Sequence, residues 1–436
     1  MTTWPRSPAC PCSSSRAAST SSARRRSAAS SCRGHVADAR RPRAKITHTR
    51  AIPDPRRLAR YQRAPELGPR ILFFSGGTAL RGASHALTRY THHSIHLITP
   101  FDSGGSSAKL RDAFPMIAVG DLRNRLMALA DTELYGQPEV YRLFGTRLPE
   151  TEDDASLRAR LTRLIADDDP LIHDVPRPLR TLIRSQLRIF AERMPPDFDL
   201  RGASIGNLIL AGGYLSNDHD IDAVVFLFSK LVAVRGFVRP VVNANLHLAA
   251  ELTSGRVIVG QHRLTSRAPP IPAPIRELRL SSTLTAETPA SASIDRRTRE
   301  LITEAELVCF PIGSFYTSVL ACLLPEGVGA AIADAGCPKV YIPNCGLDPE
   351  LRGRSPVDAV AALLAQLRRD SGEATPVERL LNFVLVDSAR GSYEGGLDIA
   401  GVEALGVSVL DVPLVTDDSA PLLSPQRLVE ALLSLV

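Results

Sequence analysis

Two glycine- and serine-rich stretches, Ser75-Gly76-Gly77-Thr78 and Asp102-Ser103-Gly104-Gly105-Ser106-Ser107, each stand directly behind a short apolar run. Glycine lets a backbone approach an anion closely, and a helix that follows presents unpaired N–H groups and the positive end of its dipole. Such loops suit phosphate, and a pair of them suits a diphosphate. A nucleotide-like ligand is therefore expected.

The elements that must position these loops are short β-rich runs alternating with helical stretches. Residues 71–74 and 95–98 read as buried strands, and the helix after Thr78 places Leu80, Ala83 and Leu87 on one face. A helix is expected around residues 106–113, and another opens at Gly120-Asp121, where Asp121 is a natural N-cap or first-turn carboxylate. The stretch from about residue 133 to 200 turns charged and helical, as at 157–165 and 179–191, and reads as a helical insertion or cap. Helices at 206–215 and 221–232 follow, then extended segments near 241–248 and 257–264 and a Pro-rich connector at 269–274. The last third sets strands at 307–310, 339–343, 383–386 and 407–410 among helices that run through Leu323, over 356–368 and over 425–435. The expected fold class is α/β: a Rossmann-like, mainly parallel sheet with helices on both faces, plus the helical insertion. Ligands of such folds bind beyond the carboxyl ends of the strands, where both glycine loops lie.

Composition narrows the partners. The formal charge of the 436 residues is +6, yet residues 1–70 hold 16 Lys and Arg against 3 Asp and Glu, leaving 36 basic and 43 acidic residues in the remainder. The basic excess belongs to the N-terminal part, which argues against a dedicated nucleic-acid surface. Residues 1–68 are expected to form a disordered Arg/Ser-rich tail, read either as a transit-like segment or, preferably, as a dispensable extension. The folded part is expected to span 69–436. Seven cysteines without a C-x-x-C pair fit a reducing cytoplasm rather than a structural zinc site or disulfide framework. No run approaches the roughly twenty apolar residues of a membrane span. A cytoplasmic protein with neither a membrane nor a nucleic-acid partner is expected. The cluster Asn217-Asp218-His219-Asp220-Ile221-Asp222 invites a metal reading, but it suits a helix cap with an acidic first turn better.

Five blocks in order carry a resemblance. Ser75-Gly76-Gly77-Thr78-Ala79 is similar to a G-G-G-T-G loop, and Asp102-Ser103-Gly104-Gly105-Ser106-Ser107-Ala108-Lys109-Leu110-Arg111 to D-D-G-G-S-S-G-x-L-R. Gly120-Asp121-Leu122-Arg123-Asn124 matches P-G-D-[IL]-R-N, Gly202-Ala203-Ser204-Ile205-Gly206-Asn207-Leu208 matches G-H-S-F-G-N-L, and Ile312-Gly313-Ser314-Phe315-Tyr316-Thr317-Ser318 matches P-G-S-L-Y-T-S. Asn344 matches an asparagine at a strand end. Together they resemble the CofD-like family, which includes the 2-phospho-L-lactate transferase of deazaflavin-coenzyme biosynthesis and the YvcK-type gluconeogenesis factors. Departures are also present: Ser75 and Ala79 replace loop glycines, Ser103 replaces the second acid, Ala203 a histidine, Pro311 a glycine, and Leu347-Asp348-Pro349-Glu350 stands where T-Q-P-G is expected. A divergent subgroup follows.

What the resemblance implies is a magnesium-assisted transfer of a phosphoryl-linked group from a nucleotide diphosphate donor to an acceptor alcohol. Gly76, Gly77 and Thr78, with Gly313, Ser314, Tyr316 and Thr317, would cradle the diphosphate, and Asp102 would bind the metal or orient the acceptor hydroxyl. Asp121 and Arg123 would add a second carboxylate and a phosphate contact, with helix capping an equal reading for Asp121. Ser103, Gly104, Gly105, Ser106, Ser107, Asn124, Ser204 and Gly206 complete the expected ligand contacts, Ser106 and Ser107 being readable as caps too. Asn207 and Asn344 would bind base or acceptor, or tie loops together. The alternative function is a non-catalytic nucleotide-sugar-binding regulator, and the family suggests a homodimer.

Overall fold

The structure, a computed structural model, describes residue 49 and residues 51–131, 137–265 and 269–436. Ile71-Leu72-Phe73-Phe74 has no polar face, so both faces must be covered, and it becomes the interior strand β1 (Ile71–Ser75). The next strands are β2 (Ile95–Ile98) and β3 (Phe237–Pro240). The chain then leaves for a four-stranded antiparallel sheet of β4 (His247–Leu252), β5 (Val257–Val259), β6 (Ile275–Ser281) and β7 (Pro289–Ala290), in the order β5-β4-β6-β7. It returns with β8 (Leu307–Phe310), β9 (Lys339–Tyr341), β10 (Phe383–Val386) and β11 (Ser408–Asp411). The seven-stranded sheet is parallel throughout, in the order β11-β10-β9-β8-β1-β2-β3. Its alternation with helices is the α/β architecture expected.

Ordered structure begins before residue 69. Helix α1 (Pro55–Arg63) is capped by the Asp54 side chain, and the Asp54 N–H donates to Ser434 Oγ at 2.8 Å. The expected tail up to residue 48 lies outside the described residues. Helix α2 (Arg81–Leu87) follows β1, and α3 (Gly105–Ala113) and α4 (Gly120–Ala128) follow β2. The segment read as an insertion supplies α5 (Pro138–Gly145), α6 (Asp154–Ala166), α7 (Pro170–His173) and α8 (Arg177–Arg193). Next come α9 (Ile205–Ser216), almost wholly buried, and α10 (Ile221–Leu231), whose cap is Asp220. The C-terminal half adds α11 (Arg296–Thr303), α12 (Val328–Asp334), α13 (Pro356–Ser371), α14 (Ile399–Ala404) and α15 (Pro425–Ser434).

Two apolar cores result. One includes Phe74 stacked on Phe310 and reaches α13 and α15. The other lies among α4 to α10, where Phe144 meets Phe228 and Phe190 meets Phe114 and Phe198, with Ile98 and Val238 of the sheet joining it. Beyond β8, the helix expected through Leu323 is instead a π-helical turn, Phe315–Val319, followed by a 3-10 turn, Leu320–Leu323.

Candidate functional site

The loops after β1 and β2 meet the first turn of α4 at two carboxylates. A Cβ added to Gly76 would fall 2.8 Å from Ser318 Oγ, 2.9 Å from Thr99 Cγ2 and 3.1 Å from Asp121 Oδ2. Only glycine lets this loop press against the Asp121 carboxylate. A Cβ on Gly120 would lie 2.6 Å from Ser107 Oγ, 3.7 Å from Asp102 Oδ2 and 3.8 Å from Asn207 Nδ2, so these three side chains converge on the start of α4. Burial and the neighbouring Asp102 push the Asp121 carboxyl up to about 6, against the Gly77 N–H and the guanidiniums of Arg125 and Arg123, which favour its charge. Asp102 is held by its own loop: Oδ1 accepts the Gly104 N–H at 3.0 Å, and its carbonyl accepts Arg111 Nη1 at 2.9 Å.

Ser103 is buried, and its hydroxyl sits 2.9 Å from His262 Nδ1 and also accepts the His262 N–H. The turn after β5 thereby ties the small sheet to the glycine loop. Ser106 Oγ is a distant acceptor of the Ser204 N–H at 3.4 Å.

Arg123 is buried beside this pair, donates to Ser204 Oγ and reaches Asn124 Oδ1 at 2.7 Å, while Gly206 abuts its Cδ. Arg125, two residues on, is buried beneath the glycine loop and donates to Ser84 Oγ, Ser75 Oγ and the Gly76 carbonyl. Burial lowers both guanidiniums to about 10, so both remain cations at neutral pH. Asn207 is 1% exposed, and its Oδ1 has no hydrogen-bond partner among the described residues. Two carboxylates beside a glycine loop fit magnesium, which needs only one or two protein carboxylates and fills its remaining positions with water and phosphate oxygens. No group of three or more His, Cys, Asp or Glu poised for a metal exists among the described residues.

The loops after β8 and β9 are organised differently. Asn344 Oδ1 accepts the Gly313 N–H at 2.8 Å, and its amide returns a bond to the Gly313 carbonyl at 2.7 Å. Asp348 takes the Phe315 N–H at 3.0 Å. The buried Glu350 takes the N–H groups of Tyr316 and Thr317 and the Thr317 hydroxyl, and burial beside Asp348 pushes its carboxyl upward. Tyr316 turns into the core and donates to the Ile275 carbonyl. Asn344 and Thr317 thus spend their polar side-chain atoms on these loops and Tyr316 on β6, while Gly313, Ser314 and Asn344 line a cavity of about 700 Å3 with Ala79, Leu347 and Leu422.

Three residues of this site have no role assigned from the sequence: Arg125, His262 and Glu350. For Arg125 a signal existed, a charge at the position of α4 that lies between Leu122 and Leu129 on its buried face. For Glu350, only the departure from T-Q-P-G hinted at a local change.

Residues 71–415 match the family described as 2-phospho-L-lactate transferase CofD. The chain belongs to this family. This CofD-family chain is 31% identical to the gluconeogenesis factor of Bacillus subtilis over 282 residues, 64% of this chain and 69% of that protein. It is 27% identical over 378 residues to a putative gluconeogenesis factor of Nostoc sp., covering 84% of this chain and 68% of the relative. Among solved structures, a UPF0052-family protein of Bacillus halodurans shares the fold, with a TM-score of 0.63 at 24% identity over 84% of this chain and 99% of that one. The resemblance carried by the five blocks therefore holds. No helix among the described residues is long and apolar enough to cross a membrane.

Proposed function

We propose that this CofD-family protein is a transferase that takes a nucleoside diphosphate conjugate as donor and passes a phosphoryl-linked group to an acceptor alcohol. The observation that supports this reading is the carboxylate pair Asp102 and Asp121, held against the glycine loop with Asp121 pushed up to about 6. A site that only holds an anion gains nothing from two carboxylates facing it, because like charge weakens the ligand. A transferase uses both. Asp102 is the group that would hold magnesium, which when bound supplies positive charge to the diphosphate. The nucleoside end fits the cavity of about 700 Å3 beyond β8 and β9.

In the transfer, the acceptor oxygen forms a bond to phosphorus as the bond from that phosphorus to the departing nucleoside monophosphate breaks. The acceptor's proton passes to the Asp121 carboxylate, whose raised value suits a base working near neutrality. A 2-phospho-L-lactate-type group and a deazaflavin alcohol are the first donor and acceptor chemistries to test. The test is a thermal-shift screen of the full chain with GDP, GTP, UDP-sugars and deazaflavin, each with magnesium or chelator, followed by an assay for released mononucleotide. Magnesium-dependent stabilisation with mononucleotide release, abolished in Asp102→Asn, is the expected result.

A second reading, a nucleotide-sugar-binding regulator, is supported by the relatives named gluconeogenesis factors and by Ser103, whose hydroxyl is tied to His262 where the resemblance expects a carboxylate. Stabilisation by UDP-sugars alone, indifferent to chelator and without mononucleotide release, would decide for it.

A further inference from the structure

The loop after β2 is gripped from the small antiparallel sheet at two points, one on each residue of the Asp102-Ser103 pair. The Asp102 carbonyl accepts Arg111 Nη1 at 2.9 Å, and the same guanidinium donates from Nη2 to Asn245 Oδ1 at 2.9 Å and to the Leu246 carbonyl at 2.7 Å, directly before β4. Ser103 Oγ lies 2.9 Å from His262 Nδ1 and accepts the His262 N–H at 3.3 Å, in the turn after β5. Since the hydroxyl oxygen already accepts that N–H, its own proton is free to go to Nδ1. The turn is shaped for this contact: Gly260 has φ +103, in the left-handed region, and a Cβ there would fall 2.9 Å from His262 Cε1 and 3.2 Å from Nδ1.

His262 also lies close to the carboxylate, for a Cβ on Gly104 would stand 3.4 Å from Asp102 Oδ1 and 3.5 Å from His262 Cβ. Oδ1 is spent on the Gly104 N–H at 3.0 Å, so Oδ2, the oxygen beside Gly120, is the one to meet a cation. Where the resemblance expects two consecutive acids, this loop has Asp102 followed by Ser103. With one carboxylate in place of two, its direction decides where a cation can sit.

We propose that His262 is a positioning residue for Asp102: acting through the Ser103 hydroxyl, its imidazole fixes the direction of the one carboxylate this loop carries. The small sheet is then the part of the fold that aims Asp102. Groups that hydrogen-bond behind a metal-binding side chain act in this way, by orienting it, and removing one typically costs about 10–100-fold in metal affinity or activity. The inference rests on the proposed function only in giving Asp102 a cation and a reaction to serve; the hold of His262 on the loop stands without it.

Substitutions at 262 separate the two ring nitrogens. Asparagine carries its amide oxygen at the δ position, where Nδ1 accepts from Ser103, whereas glutamine carries its polar atoms at the ε position, where Nε2 lies. The test compares wild type, His262→Ala, His262→Asn and His262→Gln, all as the full chain. One readout is hydrogen exchange of the Gly104 N–H, which reports how firmly Asp102 is held whether or not the protein is an enzyme. The other is magnesium-dependent release of mononucleotide from a nucleoside diphosphate donor. His262→Ala is expected to speed exchange at Gly104 and to lower kcat about 10–100-fold with little change in KM, while the midpoint of denaturant unfolding stays close to that of wild type. His262→Asn is expected to restore both readouts and His262→Gln neither. Ser103→Ala is expected to reproduce His262→Ala, and the double variant to be no worse than either alone.

The inference is overturned if His262→Ala exchanges and turns over as wild type does, or if the loss of kcat tracks a loss of unfolding stability across the variants, which would make the contact structural. Rescue by glutamine and not by asparagine would also overturn it, because Nε2 would then be meeting the ligand directly. Faster exchange in His262→Ala, reversed in His262→Asn, with no turnover by wild type would instead keep the positioning role and sink the transferase reading.

Discussion

The loops beyond β8 and β9 and those beyond β1 and β2 handle their polar atoms in opposite ways. In the first pair, Asn344, Asp348 and Glu350 meet the N–H groups of Gly313, Phe315, Tyr316 and Thr317. That region is a closed network, and such networks fix a backbone in one conformation. In the second pair, Asn207 Oδ1 and Arg125 Nε have no partner among the described residues, and the partners of Arg123 and Arg125 are neutral. Unmet polarity in a buried place costs stability unless a ligand meets it. On the proposed function, the contrast separates a loop that is scaffold from a loop that meets the substrate.

The sharpest way to break this comparison is one substitution on each side. Glu350→Ala leaves the buried N–H groups of Tyr316 and Thr317 without their acceptor, and the expected loss is about 3 kcal/mol or more of stability, read by denaturant unfolding. Asp102→Asn keeps the shape of its side chain, so little change in unfolding is expected, whereas turnover should fall at least about a hundredfold. Were Asp102→Asn to unfold the protein while Glu350→Ala left it stable, the assignment of scaffold and substrate loop would be reversed.

The same contrast explains what could be read in advance. Strands such as Ile71–Ser75 and Leu307–Phe310 are continuous apolar runs, and nothing but a sheet covered on both faces accommodates them. Phe237–Pro240 has no counterpart among the expected strands, because Gly236, Arg239 and Pro240 interrupt its apolar run. Its arginine is tolerable in a strand only because Asp222 and Asp295 arrive from elsewhere in the chain. The small antiparallel sheet is legible only in part, since β6 carries Arg276, Glu277 and Arg279 among its apolar residues, and the two arginines find Glu251 on the neighbouring strand. At the site, motif spacing names the loops and the carboxylates. That Asp121 sits against Gly76, that Arg125 lies beneath the loop and that His262 reaches Ser103 are facts of tertiary packing, to which no local period points.

A smaller effect is expected at Gly76. The Cβ of Gly76→Ala would meet Ser318, Thr99 and Asp121, of which the carboxylate is best able to swing away. Crowding of this kind typically costs about 1–3 kcal/mol. If the proposed function holds, the loss of ligand or metal affinity should exceed the loss of stability, because the displaced group is then the functional one. Equal losses measured by calorimetry and by unfolding would place Gly76 with the scaffold instead.

The gentlest probe is pH. Asp121 loses its proton at an ordinary 3.8 in the unfolded chain and at about 6 in the folded one. Between those values the folded state holds the extra proton, so the contribution of this group to stability is complete below about 3.8, declines as pH rises, and levels off above about 6, with a slope of at most about 1.4 kcal/mol per pH unit. Glu350, also pushed upward by burial, adds a decline of the same sign, which makes Asp121→Asn the necessary reference. The difference in stability between wild type and Asp121→Asn should move toward the variant as pH passes from 4 to 6 and then stay constant. Binding of magnesium or turnover needs the ionised carboxylate, so it should rise over the same interval in which stability falls. Stability and function with opposite slopes about one carboxyl group are what a substrate loop produces; parallel slopes would leave Asp121 as a first-turn carboxylate of α4, whose N-cap is Val119, with no part in function.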